Sequence, residues 1–199
     1  MIETHKFLPL AGILVLVLLF IIACNRPKNN KPVIRINTSM GEIDIELYPD
    51  KAPKTVAAFL KNVKEDIYLN SNFYRVLKAD PLPSDYNSGL IQGGVYKTSP
   101  VPEVAAIPHE PTNITGLSHT NGTISLARTE PGTASSEFFI CIGDQSSLDA
   151  GSGGTPDSLG FAAFGKVIKG MTIVRKIQNQ PSIGDAIEQP VKIENIKIN

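Results

Sequence analysis

Val33-Ile34-Arg35-Ile36-Asn37-Thr38-Ser39-Met40-Gly41-Glu42-Ile43-Asp44-Ile45-Glu46-Leu47 opens the folded part of the chain. Apolar and polar residues alternate on both sides of Met40-Gly41, the period of a half-buried strand, so the stretch reads as a β-hairpin with one wet face. The period then changes. Val56, Phe59, Leu60, Val63 and Ile67 recur at helical spacing, with Lys54, Lys61, Lys64 and Glu65 on the other side. Asp50 is the candidate cap of this helix and Pro53 fits its first turn. Strand-like segments follow at Phe73–Val76, Leu90–Gln92, Thr123–Leu126, Phe138–Ile142, Ala162–Val167 and Val191–Ile198, with a short second helix at Met171–Ile177 after Gly170. Many strands with one early and one late helix predict a mainly β fold, a closed antiparallel barrel with helices over its open ends.

Outward from the hairpin toward the amino terminus, Asn25–Pro32 is polar and reads as a tether. Before it, Phe7–Ala23 carries no charge and reads as an export signal. The run contains Pro9 and Gly12 and sits at the lower limit for crossing a bilayer core of roughly 30 Å, so an uncleaved anchor is the alternative. Ile21-Ile22-Ala23-Cys24 resembles a bacterial lipobox, in which the cysteine is lipidated and becomes the new amino terminus. The expected organisation is a signal peptide over 1–23, a lipidated tether over 24–32 and one barrel domain over 33–199. Asn25 follows the cysteine where Asp would signal inner-membrane retention. The expected location is therefore the bacterial cell envelope, lipid-anchored at the periplasmic face of the outer membrane.

The whole chain of 199 residues balances 19 Lys+Arg against 19 Asp+Glu, which argues against a nucleic-acid or other polyanionic partner. Cys141 lies in an apolar strand, Phe138-Phe139-Ile140-Cys141-Ile142, and reads as a buried thiol, not a nucleophile. Beyond the signal only His109 and His119 remain, without metal-ligand spacing, so neither a metal nor another cofactor is expected. Gly151-Ser152-Gly153-Gly154 lacks the ending of a phosphate loop.

Three segments stand out. Phe73-Tyr74-Arg75-Val76 puts Phe73 and Arg75 on one face of a strand, Leu90-Ile91-Gln92-Gly93-Gly94 ends a strand in a glycine pair, and Ser136-Glu137-Phe138-Phe139-Ile140 sets a carboxylate beside two rings. Singly they read as a strand-face arginine, a turn and a core strand. They keep company with Ser39-Met40-Gly41-Glu42-Ile43, Ala52-Pro53-Lys54-Thr55-Val56, Gly122–Thr129, Leu148-Asp149 and Phe164–Met171. In that collinear order, over roughly Ile34–Ile177, the chain resembles the cyclophilin family of peptidyl-prolyl cis-trans isomerases. Ala127-Arg128-Thr129 and the aromatic Phe161 are similar to bacterial members.

The resemblance implies an eight-stranded antiparallel barrel capped by two helices, with the active groove on its outer surface. It implies that proline-containing polypeptides are the partners and that the chain acts as a monomer. Arg75 matches the family's arginine, which hydrogen-bonds the prolyl nitrogen, and Gln92 matches the glutamine that orients it. Leu90, Phe139, Leu148 and Phe161 match the proline pocket, and Phe73 falls on the substrate-binding face. Arg128 falls where the family's main chain grips the residue before proline, so its backbone matters more than its side chain. Glu137 falls at a position often occupied by Gln, close to the substrate backbone.

Four departures accompany the match. Tyr74 replaces a frequent His, Ser147 a frequent Trp, and Gly89 occupies the slot of a pocket Phe; the longer preceding loop, Lys78–Gly89, reads as an exposed turn, with Tyr86 as a substitute pocket ring the alternative. Glu137, a carboxylate near Arg75, either holds that arginine or pairs with it so tightly that its donors are lost to substrate. Two function classes follow. One is a membrane-tethered prolyl isomerase assisting the folding of exported proteins; the other is a catalytically weak module binding proline-containing segments of envelope partners.

Overall fold

The computed structural model describes residues 31–80 and 87–199. Strands β1 (Val33–Thr38) and β2 (Gly41–Leu47) pair antiparallel in the register that the alternation predicts, with Ile34 opposite Ile45 and Ile36 opposite Ile43. All four isoleucines are buried. On the other face Arg35 donates to both oxygens of Asp44, at 2.7 and 2.9 Å, which holds that carboxyl below its ordinary range.

The remaining elements are α1 (Pro53–Lys64), β3 (Ser71–Lys78), β4 (Gly89–Gly94), α2 (Thr112–Thr115), β5 (Thr123–Leu126), β6 (Phe138–Ile142), β7 (Ala162–Lys169), α3 (Met171–Gln178), β8 (Ser182–Ile183) and β9 (Ala186–Ile198). Neighbouring strands run β1-β2-β7-β5-β6-β4-β3-β9, and β1 pairs with β9 to close the ring. This is the expected eight-stranded antiparallel barrel, since β8 adds only a two-residue hairpin to β9. Helix α1 packs on β7 and β9, and α3 on β2, β3, β4 and β6. The single turn of α2 is an addition to the two expected helices.

Asp50 does not cap α1. Ala52 stands at the cap position without a side-chain bond, and Glu110 supplies the acceptor from a distant loop. Its carboxylate accepts from the main-chain N–H of Lys54 at 3.2 Å, the N–H of Thr55 at 2.7 Å and the Thr55 hydroxyl at 2.7 Å. A buried carboxylate there satisfies orphan donors and complements the positive end of the helix dipole. The helix ends at Lys64, short of Ile67, where Asp66 takes a left-handed φ of 55°.

Two apolar clusters result from the strand alternation. Inside the barrel, Phe59 of α1 meets Tyr68, Phe138 and Phe164 with ring centroids 5.0–5.8 Å apart. Strand β6 divides its side chains: Phe138, Ile140 and Ile142 join that interior, while Phe139 and Cys141 join Leu90 in a second cluster. Leu77, Ala127, Leu148 and Phe161 pack against the second cluster from outside. An apolar surface of this kind, built on the outer wall of a rigid barrel, is the place to look for a ligand.

Candidate active site

The site begins at an irregularity in β3. Phe73 lies opposite Gly93 and Arg75 opposite Gln92, so Tyr74 is an extra residue on its strand, a β-bulge. The bulge corrects the expectation that Phe73 and Arg75 share a face. Phe73 turns into the barrel, fully buried and edge-on to Phe138 at 5.7 Å, and does not line the groove. Gly93 makes room for it, because a Cβ there would stand 2.8 Å from the Phe73 ring. Tyr74 and Arg75 both face outward.

They face a groove of about 590 Å³. Of the residues named from sequence, Arg75, Leu90, Gln92, Arg128, Glu137, Phe139, Leu148 and Phe161 line it, and Phe73 alone does not. Leu90, Phe139, Leu148 and Phe161 form its apolar part, with Phe139 and Phe161 edge to face at 5.3 Å. Leu77 and Ala127 widen that wall. Tyr86 lies outside the described residues, as do Cys24, the apolar run before it and most of the tether.

Arg75 stands at the polar edge. Its Nη1 donates to Gln92 Oε1 at 3.0 Å and its Nη2 to Asp185 Oδ2 at 2.9 Å. Two of the five guanidinium donors are thereby engaged. Glu137 does not pair with Arg75. Its Oε2 accepts from the Tyr74 hydroxyl at 2.7 Å, and its Oε1 from the main-chain N–H groups of Val95 at 2.8 Å and Tyr96 at 3.1 Å. Gln92 Nε2 in turn donates to the Tyr74 oxygen at 2.8 Å. Burial, with Glu137 as acceptor, pushes the Tyr74 phenol well above its ordinary value, so it stays protonated.

Arg128 shows why its side chain matters as well as its backbone. It is nearly buried, donates to both oxygens of Asp157 at 2.7 and 3.0 Å, and reaches the Gly160 carbonyl from Nε and Nη2. The guanidinium lies 5.4 Å from the centre of the Phe161 ring. It therefore pins the loop that delivers Phe161 to the groove.

Behind Phe139, the His119 ring stacks at 5.8 Å. His119 bridges Asp149 Oδ1 at 2.6 Å and Ser125 Oγ at 2.9 Å, while Ser118 donates to the other Asp149 oxygen. A Ser–His–Asp chain is suggestive of a hydrolase, but Ser125 and His119 are fully buried inside the wall. Cys141 is buried too, and burial pushes its thiol pKa up. Neither is placed to attack a ligand in the groove. What the groove offers is an apolar pocket beside an oriented cation, which suits binding and charge stabilisation without covalent chemistry.

Sequence reasoning named the groove but missed three of its supports. Asp185 lies 110 positions from Arg75 and in a two-residue hairpin turn, so no local pattern joins them. Asp157 lies three residues beyond Gly151-Ser152-Gly153-Gly154, and no local pattern joins it to Arg128, 29 positions away. Tyr74 was visible as a departure, but its hydroxyl contacts were not.

Comparison with known proteins agrees with this geometry. The family model for cyclophilin type peptidyl-prolyl cis-trans isomerases matches residues 33–198. A peptidyl-prolyl cis-trans isomerase of Acinetobacter baylyi is 36% identical over 172 residues, covering 83% of this chain and 85% of that protein. Peptidyl-prolyl cis-trans isomerase B of Escherichia coli is 32% identical, covering 83% of this chain and 96% of its own. In fold, the chain resembles the crystal structure of a Cryptosporidium parvum cyclophilin type isomerase, with a TM-score of 0.68 at 24% identity over 85% of this chain and 98% of that one.

Proposed function

Because the chain belongs to the cyclophilin-type peptidyl-prolyl cis-trans isomerases and shares their activity, we propose that it turns X-Pro bonds of exported or envelope proteins, with Arg75 as the acting group. The X-Pro bond has partial double-bond character and a barrier of about 20 kcal/mol. A hydrogen bond from a cation to the prolyl nitrogen favours the pyramidal nitrogen of the twisted state and opposes amide resonance. A guanidinium is suited to this as a planar cation with five donors, and Arg75 has donors beyond those given to Gln92 and Asp185. Leu90, Phe139, Leu148 and Phe161 hold the proline ring and keep water from the nitrogen.

The observation that carries the reading is the Gln92-held Arg75 at the edge of that apolar pocket. Cys24 at the end of the apolar run supports a lipid anchor, and several acyl chains give stable attachment at about 0.8 kcal/mol per buried CH₂. Among the described residues no helix is long and apolar enough to cross a membrane. Asn25 after the cysteine supports the periplasmic face of the outer membrane.

The test follows cis-to-trans exchange of a short X-Pro peptide by the full-length chain and its Arg75→Ala variant. Loss of acceleration in the variant supports Arg75; equal acceleration removes it from the mechanism. Mass spectrometry of membrane-extracted protein tests the anchor, and a mature chain starting at Met1 with unmodified Cys24 rejects it.

A further inference from the structure

Tyr74 and Glu137 form one continuous donor–acceptor chain with Gln92 and Arg75, and the direction of every bond in it is fixed from one end. Glu137 is a carboxylate, which only accepts. Its Oε1 is occupied by the main-chain N–H groups of Val95 and Tyr96 and by the Ser136 hydroxyl at 3.2 Å, and its Oε2 takes the single hydroxyl proton of Tyr74. The Tyr74 oxygen then has only acceptor capacity left, so it takes an N–H from Gln92. Gln92 must therefore turn its amide nitrogen toward Tyr74 and its carbonyl oxygen toward Arg75 Nη1. Rotated by half a turn, the same amide would face the guanidinium with a donor and repel it. Tyr74 is buried, so water does not rescue a mismatched bond cheaply.

The geometry points to Tyr74 and Glu137 as a matched pair of positioning residues that set the polarity of the Gln92 amide and thereby the orientation of Arg75. The inference rests on Arg75 being the acting cation. It explains why a carboxylate at position 137 accompanies a tyrosine at position 74. A glutamine at 137 has one oxygen to divide between two claims: the N–H groups of Val95 and Tyr96 together with the Ser136 hydroxyl, and the proton of Tyr74. If its oxygen goes to the main chain, its amide nitrogen meets Tyr74, the tyrosine proton turns to Gln92, and Gln92 flips its donor toward Arg75. The isosteric change Glu137→Gln is thus harmful while Tyr74 is present. With phenylalanine at 74 there is no hydroxyl to reverse, and the same change is silent.

A double-mutant cycle on the full-length chain tests this, with exchange of an X-Pro peptide as readout and kcat and KM separated. Glu137→Gln is expected to lower kcat about tenfold with KM unchanged, a loss equivalent to ~1.4 kcal/mol. Tyr74→Phe is expected to cost less, about threefold, and Glu137→Gln added to it nothing more. Full activity of Glu137→Gln overturns the proposal. So does an equal loss in both backgrounds, which assigns Glu137 to direct substrate contact. An Arg75→Ala control as active as the parent chain overturns the assignment of Arg75 itself, an outcome distinct from the other two.

Discussion

Asp185 Oδ2 accepts from Arg75 Nη2 at 2.9 Å, which ties the β8–β9 turn to the bulge of β3, where Arg75 pairs with Ala186. The pair is about half exposed, with side-chain accessibilities of 41% for Arg75 and 51% for Asp185. Exposed ion pairs are worth about 0–1 kcal/mol, so its effect on orientation is modest and screened by salt. Asp185→Ala is expected to lower kcat about threefold at low salt, with the difference narrowing at high salt. Asp185→Asn keeps an acceptor oxygen and is expected to retain most activity. The turn itself survives either change, because the main-chain carbonyl of Asp185 still accepts from Val76 N–H at 2.8 Å. Exchange kinetics at two ionic strengths check this, and a salt-independent loss counts against an electrostatic role.

The Arg128–Asp157 pair predicts a different kinetic signature. Arg128 holds Asp157 and Gly160, the residue before Phe161, while the hydrogen bonds from Arg128 keep the Asp157 carboxyl well below the usual range. Arg128→Lys loses the bidentate fork and loosens one wall of the apolar pocket without touching Arg75. KM is expected to rise about fivefold and kcat to change less than twofold, in the manner of lost uniform binding. A variant with lowered kcat at unchanged KM would show that the loop serves the transition state instead.

Regular alternation and helical spacing made the barrel legible: β5 and β6 fall on the predicted residues, and the β1–β2 register follows from the isoleucines. What was illegible arises where distant segments override a local pattern. Phe73 was placed on the wrong face because a bulge inserts Tyr74, and nothing in Phe73-Tyr74-Arg75-Val76 announces an extra residue. Asp50 was a sound local cap, displaced by Glu110 from across the fold. Strand β9 begins at Ala186, five positions before the predicted Val191, because Ala186 and Ile187 pair with β8 and Ala186 also pairs with Arg75 of β3. The groove was found through motif resemblance, whereas its hydrogen-bond partners depend on tertiary contacts.

Gly89 offers a test of the empty pocket slot. It pairs with Lys78 on one side and Ile142 on the other, at a φ of +134°. A Cβ there would stand 2.1 Å from the Leu77 carbonyl oxygen, a contact with backbone that cannot relax locally. Gly89→Phe is therefore expected to destabilise the fold by at least ~2 kcal/mol without adding a ring to the apolar pocket. Urea unfolding and peptide exchange check it together. An unchanged midpoint with a higher kcat/KM would show that the slot is open to a ring.

The buried histidine makes stability depend on pH in a stated direction. Burial pulls the His119 pKa below its ordinary value of about 6.5, and Asp149 only partly offsets this. The folded chain thus holds a neutral ring whose Nδ1 donates to Asp149 and whose Nε2 accepts from Ser125. Below about pH 6.5 the unfolded chain takes up a proton that the folded chain refuses, so unfolding gains. The contribution is complete above that pH and is lost as pH falls toward the folded pKa. Asp149 behaves separately: burial raises its pKa, but hydrogen bonds from Ser118 and His119 outweigh that, and its contribution is lost only further into the acid range. Urea midpoints of the parent chain are expected to fall between about pH 7.5 and about pH 5. His119→Gln should be less stable at the upper end, and its midpoint flat across that window. Because the His119 ring stacks on Phe139, the same variant should also raise KM, tying the titrating group to the wall of the apolar pocket. An equal slope in both proteins would assign the pH dependence to another group.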